Sequence, residues 1–114
     1  MLFTRGETWN NAREKCKELG AELVKIESAE ENKFIKTTFL KTPASYWIGL
    51  SDQENEGEWK WLDDSLLRGQ YSNWRLGNPD NFGNNENCGS IVFGLWNDRS
   101  CDAILGFICE KVSP

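Results

Sequence analysis

A chain of 114 residues suits one compact domain, residues 1–114, and leaves little for a second. Its net charge of −5 speaks against nucleic acid, whose recognition shows as a basic patch, and no apolar run is long enough to span or insert into a bilayer. The sequence contains no histidine, which removes the commonest zinc ligand and the commonest general base together.

The opening, Met1 to Gly6, has no apolar core of the signal-peptide kind, so the chain reads as a mature piece whose targeting segment was removed, with Met1 a cloning start. Thr8 is expected to cap a helix carrying Trp9, Ala12, Cys16 and Leu19 as an apolar stripe, with Gly20 as its left-handed end. Glu22 to Ile26 then reads as a strand. Ser28-Ala29-Glu30-Glu31 reads as a capping box opening a second helix, with Phe34, Ile35, Thr38 and Phe39 at helical spacing and an end before Pro43. Tyr46 to Leu50 reads as a buried strand, and Glu58 to Leu62 alternates polar and apolar as a half-buried one. A long polar stretch rich in Gly, Asn and Ser separates Asp64 from Cys88. Its length marks a functional loop, and Tyr71, Trp74 and Phe82 offer it anchors. Ser90 to Phe93 and Gly106 to Cys109 complete the strands.

The four cysteines, Cys16, Cys88, Cys101 and Cys109, include no Cys-x-x-Cys pair. Two disulfides in an oxidising, secreted or extracellular setting are expected to staple a small core rich in aromatic residues. Four cysteines allow three pairings. The layout favours a local Cys88–Cys101 bridge around one strand and its return loop, leaving Cys16 to tie the first helix to the last strand through Cys109. Each bridge would be worth about 2–4 kcal/mol.

The chemistry gathers in Asn78-Pro79-Asp80-Asn81, Glu86-Asn87-Cys88 and Trp96-Asn97-Asp98. These segments offer carboxylates and amide carbonyls without a nitrogen or sulfur competitor, and hard oxygen donors of this kind suit calcium. The EF-hand spacing is missing. A plain surface turn would account for Asn78-Pro79-Asp80 alone. It does not account for the same triplet joined by Glu86 and Asn97-Asp98 across a disulfide.

With these residues in view, the sequence resembles the C-type lectin family from about Trp9 to Glu110. The resemblance is carried by Trp47-Ile48-Gly49-Leu50, by Trp96-Asn97-Asp98, by Glu86-Asn87-Cys88 and by the order of the four cysteines. It implies an α+β double-loop fold with two helices, two small antiparallel sheets and the bridges Cys16–Cys109 and Cys88–Cys101. Against that pattern the chain is expected to be a short form, lacking most of the family's first strand and any N-terminal cysteine hairpin. The resemblance also implies a principal Ca²⁺ held by Asn78, Asp80, Glu86, Asn97 and Asp98. A second Ca²⁺ would draw on Asp52, Glu56, Asn81 and Asn87, with Glu86 shared. Asn81 and Asn87 stand where the family usually has acids, so this second site is expected to be weak.

Sugar-binding members carry Glu-Pro-Asn or Gln-Pro-Asp where this chain has Asn78-Pro79-Asp80. Asn is one methylene shorter than Gln, which is expected to weaken calcium rather than abolish it. The amide-then-carboxylate order is that of galactose-type members, because an amide can donate a hydrogen bond and a carboxylate only accepts. Phe82 is similar to the aromatic that stacks on galactose in such members. The resemblance therefore implies a calcium-dependent lectin for galactose or N-acetylgalactosamine, with Asn78, Asp80, Phe82, Glu86, Asn97 and Asp98 at the sugar. Mannose- or fucose-type binding at the same ion is the alternative. A calcium-independent protein-binding domain is the rival of another class. An enzyme using Glu86 and Asp98 as an acid pair is not expected, since calcium would hold both ionised. Single-site affinity should be weak, so the expected partners are glycans engaged through several copies, as oligomers or tandem domains.

Overall fold

The computed structural model describes residues 1–75, 77 and 86–111. Strand β1 (Leu2–Glu7) leads into α1 (Trp9–Glu18) and the short β2 (Ala21–Leu23), and α2 (Ala29–Phe39) follows. Strands β3 (Tyr46–Ser51), β4 (Lys60–Trp61), β5 (Cys88–Val92), β6 (Leu95–Arg99) and β7 (Leu105–Lys111) make up the rest.

The caps fall where the side chains call for them. Thr8 Oγ1 accepts from the Asn11 N–H at 3.3 Å, and Gly20 takes φ +71° just past the end of α1. Ser28 Oγ accepts from the Glu31 N–H at 3.1 Å, but the return bond of the capping box goes one residue further back. Glu31 Oε1 accepts from the Glu27 N–H at 3.3 Å. The helices bury narrower faces than their spacing predicts. Trp9, Ala12 and Cys16 are buried in α1 while Leu19, beyond its last turn, is 49% exposed. In α2 the buried residues are Asn32 and Ile35, and Phe34 is 63% exposed.

Strand β7 joins the two ends of the chain. On one side it pairs antiparallel with β1, Leu2 opposite Ile108 and Phe3 opposite Phe107, and the Phe3 and Phe107 rings stack at 4.9 Å. The first strand is therefore present over six residues, contrary to the sequence reading. Its Thr4-Arg5-Gly6 centre has no apolar alternation, and its stability comes from the backbone ladder and the Phe3 contact. β7 also pairs antiparallel with β2 and, through Tyr46–Gly106 and Trp47–Phe107, parallel with β3. This short parallel stretch joins the antiparallel group β1-β7-β2 to the antiparallel group β4-β3-β5-β6. The strands read as Glu22 to Ile26 and Glu58 to Leu62 are shorter, Ala21–Leu23 and Lys60–Trp61.

Two packed clusters lie against this network. One holds Ile26, Ile35, Ile48, Leu50, Trp59, Trp61, Ile91 and Trp96. The other surrounds the cysteines with Trp9, Leu23, Trp47 and Phe107. Gly49 lies where a Cβ would come within 2.8 Å of the Leu23 carbonyl and 3.1 Å of that of Val24, so the Trp47–Leu50 segment admits no side chain there. The bridges are Cys16–Cys109 and Cys88–Cys101, as expected, with Cα separations of 5.7 and 5.1 Å.

Candidate calcium and sugar site

Among the expected ligands, the described ones, Glu86, Asn97 and Asp98, lie where three strands run side by side. β5 lies between β3 and β6, pairing Ser51 with Cys88, Gly89 with Asp98 and Ser90 with Asn97. Glu86 and Asn87 thus enter the central strand beside the end of β3, and Asn97-Asp98 run alongside it. From the sequence, Cys88 and Cys101 are expected around one strand and a return loop. Instead they flank a hairpin of two strands, and Asn97-Asp98 belong to the second.

Trp96 fixes this part of β6. Its indole is fully buried and meets Trp61, Tyr71 and Trp74 edge-on, with centroids 5.5, 5.8 and 5.9 Å away. Its Nε1 donates to Asn32 Oδ1 at 2.8 Å, and Asn32 Nδ2 donates to the Gly94 carbonyl at 2.9 Å. On the backbone, Trp96 N–H donates to the Asn73 carbonyl and Arg75 N–H to the Trp96 carbonyl. The described start of the long loop is thereby stitched to β6 directly beside Asn97. Tyr71 and Trp74 anchor the loop as expected. Phe82 lies outside the described residues, as do Asn78, Asp80 and Asn81.

Asp98 is fully buried, while Asn97 and Glu86 are half-buried. A carboxylate buried to this degree needs nearby donors or a cation, because desolvating it alone is prohibitive. Oxygen donors with a buried carboxylate among them fit a hard divalent ion such as calcium. Among the described residues no three of Asp, Glu, Cys and His are gathered closely enough to hold a metal. The described part of the expected set is Glu86, Asn97 and Asp98; the remainder belongs to the undescribed stretch.

The residues expected at a second ion form a separate corner. Asp52 follows β3, and its N–H donates to the Asn87 carbonyl at 3.0 Å. Asp52 is buried, and its Oδ2 accepts from the Gly57 N–H at 2.8 Å. In the orientation that satisfies its neighbours, the Asn87 side-chain nitrogen donates to Asp52 Oδ1 at 3.0 Å and to Glu56 Oε1 at 3.1 Å. Burial pushes the Asp52 carboxyl up to about 6, opposed by the Gly57 N–H and reinforced by the Glu56 carboxylate beside it.

Residues 5–111 match the model of the lectin C-type domain. The chain belongs to the C-type lectin family. This C-type lectin domain is 44% identical over 114 residues to CD209 antigen-like protein D of Mus musculus, covering 98% of this chain and 47% of that protein. The chain thus spans about half the length of that curated relative. Among solved structures it superposes on the mouse scavenger receptor C-type lectin carbohydrate-recognition domain with a TM-score of 0.90 and 42% identity, covering 98% of this chain and 88% of that one. A calcium-independent type II antifreeze protein also shares the fold, with a TM-score of 0.82 and 27% identity over 95% of this chain and 81% of its own. The family is one of carbohydrate-binding domains rather than enzymes, so Glu86 and Asp98 are not a catalytic acid pair. Calcium dependence, by contrast, varies on this fold and must be argued from the residues.

Asn32 is a supporting residue here that its sequence context does not mark. A polar residue on a helix face carries no signal that an indole N–H and a turn carbonyl will both meet it.

Proposed function

We propose that this C-type lectin domain binds carbohydrate through a calcium ion held by Asp80, Glu86, Asn97 and Asp98, with Asn78 as a fifth ligand. The observation that carries the reading is Asp98. It is a fully buried carboxylate on a strand whose position is fixed by Trp96, with Glu86 entering the adjacent strand. When bound, calcium supplies open coordination positions for a pair of sugar hydroxyls. The protein residues fix the ion, and their remaining donors and acceptors read the orientation of those hydroxyls.

The sugar class is galactose or N-acetylgalactosamine. Its support is the sequence of the undescribed loop: the amide-then-carboxylate order of Asn78 and Asp80, and Phe82 as an apolar face for the ring. Such a site covers only part of a sugar, so single-site affinity is weak and useful binding comes from several copies. An oxidising, secreted or extracellular setting belongs to the same reading, and the two disulfides support it. No helix among the described residues is long and apolar enough to cross a membrane.

Calcium-independent protein binding is the second reading; the calcium-independent antifreeze protein supports only its first half, that the fold can do without the ion. A glycan array read in calcium and again in EDTA tests the first reading against it. Signals on terminal galactose and N-acetylgalactosamine that vanish in EDTA are the expected result. Signals on mannose or fucose alone would replace the sugar class. A blank array in calcium would leave the protein-binding reading.

A further inference from the structure

The corner formed by Asp52, Glu56 and Asn87 is a described place where this chain departs from the family pattern, with Asn87 standing where an acid is usual. A second calcium there would need inward-facing oxygens from all three residues. The side chain of Asn87 instead brings an NH₂ group, and both acids lie within donor range of it, at 3.0 and 3.1 Å. The backbone supports the same arrangement, since Asp52 N–H donates to the Asn87 carbonyl and Gly57 N–H to the other Asp52 oxygen. Both amide hydrogens then have an acceptor, and each acid has a donor without a metal.

We propose that Asn87 closes this corner as an amide latch, holding the 52–57 loop to the start of β5 in place of a second calcium ion. The latch lies immediately beside Glu86, so it positions that residue at the principal site without help from another metal. The domain then works with one ion. That count rests on the principal-site reading; the latch itself does not.

The test is a calorimetric calcium titration of the wild type and of Asn87→Asp, both stripped with EDTA beforehand. An aspartate removes the donor and adds an anionic oxygen, so the variant is expected to take up one more ion than the wild type, two against one. If the wild type binds none and the variant one, the principal-site reading fails while the latch stands. A wild type that binds two ions overturns the latch, for the Asn87 carbonyl would then face the acids. A variant that gains no ion overturns it as well. Asn87→Ala gives an independent measure in EDTA, where loss of the latch should lower the melting temperature by about 5 °C. An unchanged melting temperature for Asn87→Ala would contradict the proposal.

Discussion

The indole of Trp96 carries one polar hydrogen into an otherwise apolar cluster, and Asn32 accepts it at 2.8 Å. The same amide reaches the Gly94 carbonyl, so a single side chain of α2 steadies both the hairpin turn and the tryptophan beside the proposed ligands. Asn32→Ala should therefore cost about 1–3 kcal/mol, the penalty for leaving buried groups without partners. Urea unfolding checks this, and a loss below about 0.5 kcal/mol would show that water replaces the amide. At this scale legibility was uneven. Glu86, Asn97 and Asp98 stood out because oxygen-donor residues occur beside a tryptophan and a cysteine in a pattern of their own. Asn32 did not, because its role depends on a partner 64 residues away. Phe34 and Leu19 misled for the opposite reason: helical spacing marks a face, and the neighbours that exist decide how much of it is covered.

At the scale of elements, the β5–β6 hairpin shows why strand content was underread. Asn and Asp have low strand propensity, so Leu95 to Arg99 reads as loop from its composition. Its pairing is dictated by the turn between Val92 and Leu95, where Phe93 and Gly94 both take positive φ, 50° and 86°. Two such residues form the kind of tight turn that matches strand twist. β1 was missed likewise, for its partner lies at the other end of the chain. The connection after β4 is tied down differently. Lys25 Nζ meets Asp63 Oδ2 at 2.7 Å, and that contact, with two bonds from Ser65, holds the Asp63 carboxyl down at about 2. A depressed carboxyl contributes stability that is present above its unfolded value near 3.8 and lost as pH falls through about 2. Asp63 is 55% exposed, so screening keeps the effect within about 1 kcal/mol. Thermal melts should show Asp63→Asn below the wild type at pH 5, with the gap closing towards pH 2. A gap that widened in acid would contradict the assignment.

At the scale of the molecule, β7 pairs with β1, β2 and β3 and carries Cys109, so both chain ends and the first helix are bound to one strand. The second bridge closes the hairpin bearing Asn97 and Asp98. The strands that carry Asn97 and Asp98 are thus fixed by contacts outside the long loop. The fold class and both bridges were legible in the sequence, since cysteine order and the Trp47–Leu50 and Trp96–Asp98 segments constrain them strongly. The parallel β3–β7 contact was not, because nothing local announces a register between distant strands. Asp98 draws these levels together, as a buried carboxylate on a pinned strand inside a bridged hairpin. Retention on immobilised galactose is the most direct measurement, with wild type and Asp98→Asn run side by side. The wild type is expected to be held in calcium and released by EDTA, while Asp98→Asn passes through with melting behaviour in EDTA close to that of the wild type. A wild type that flows through in calcium, or a folded Asp98→Asn retained as tightly as the wild type, would contradict this expectation.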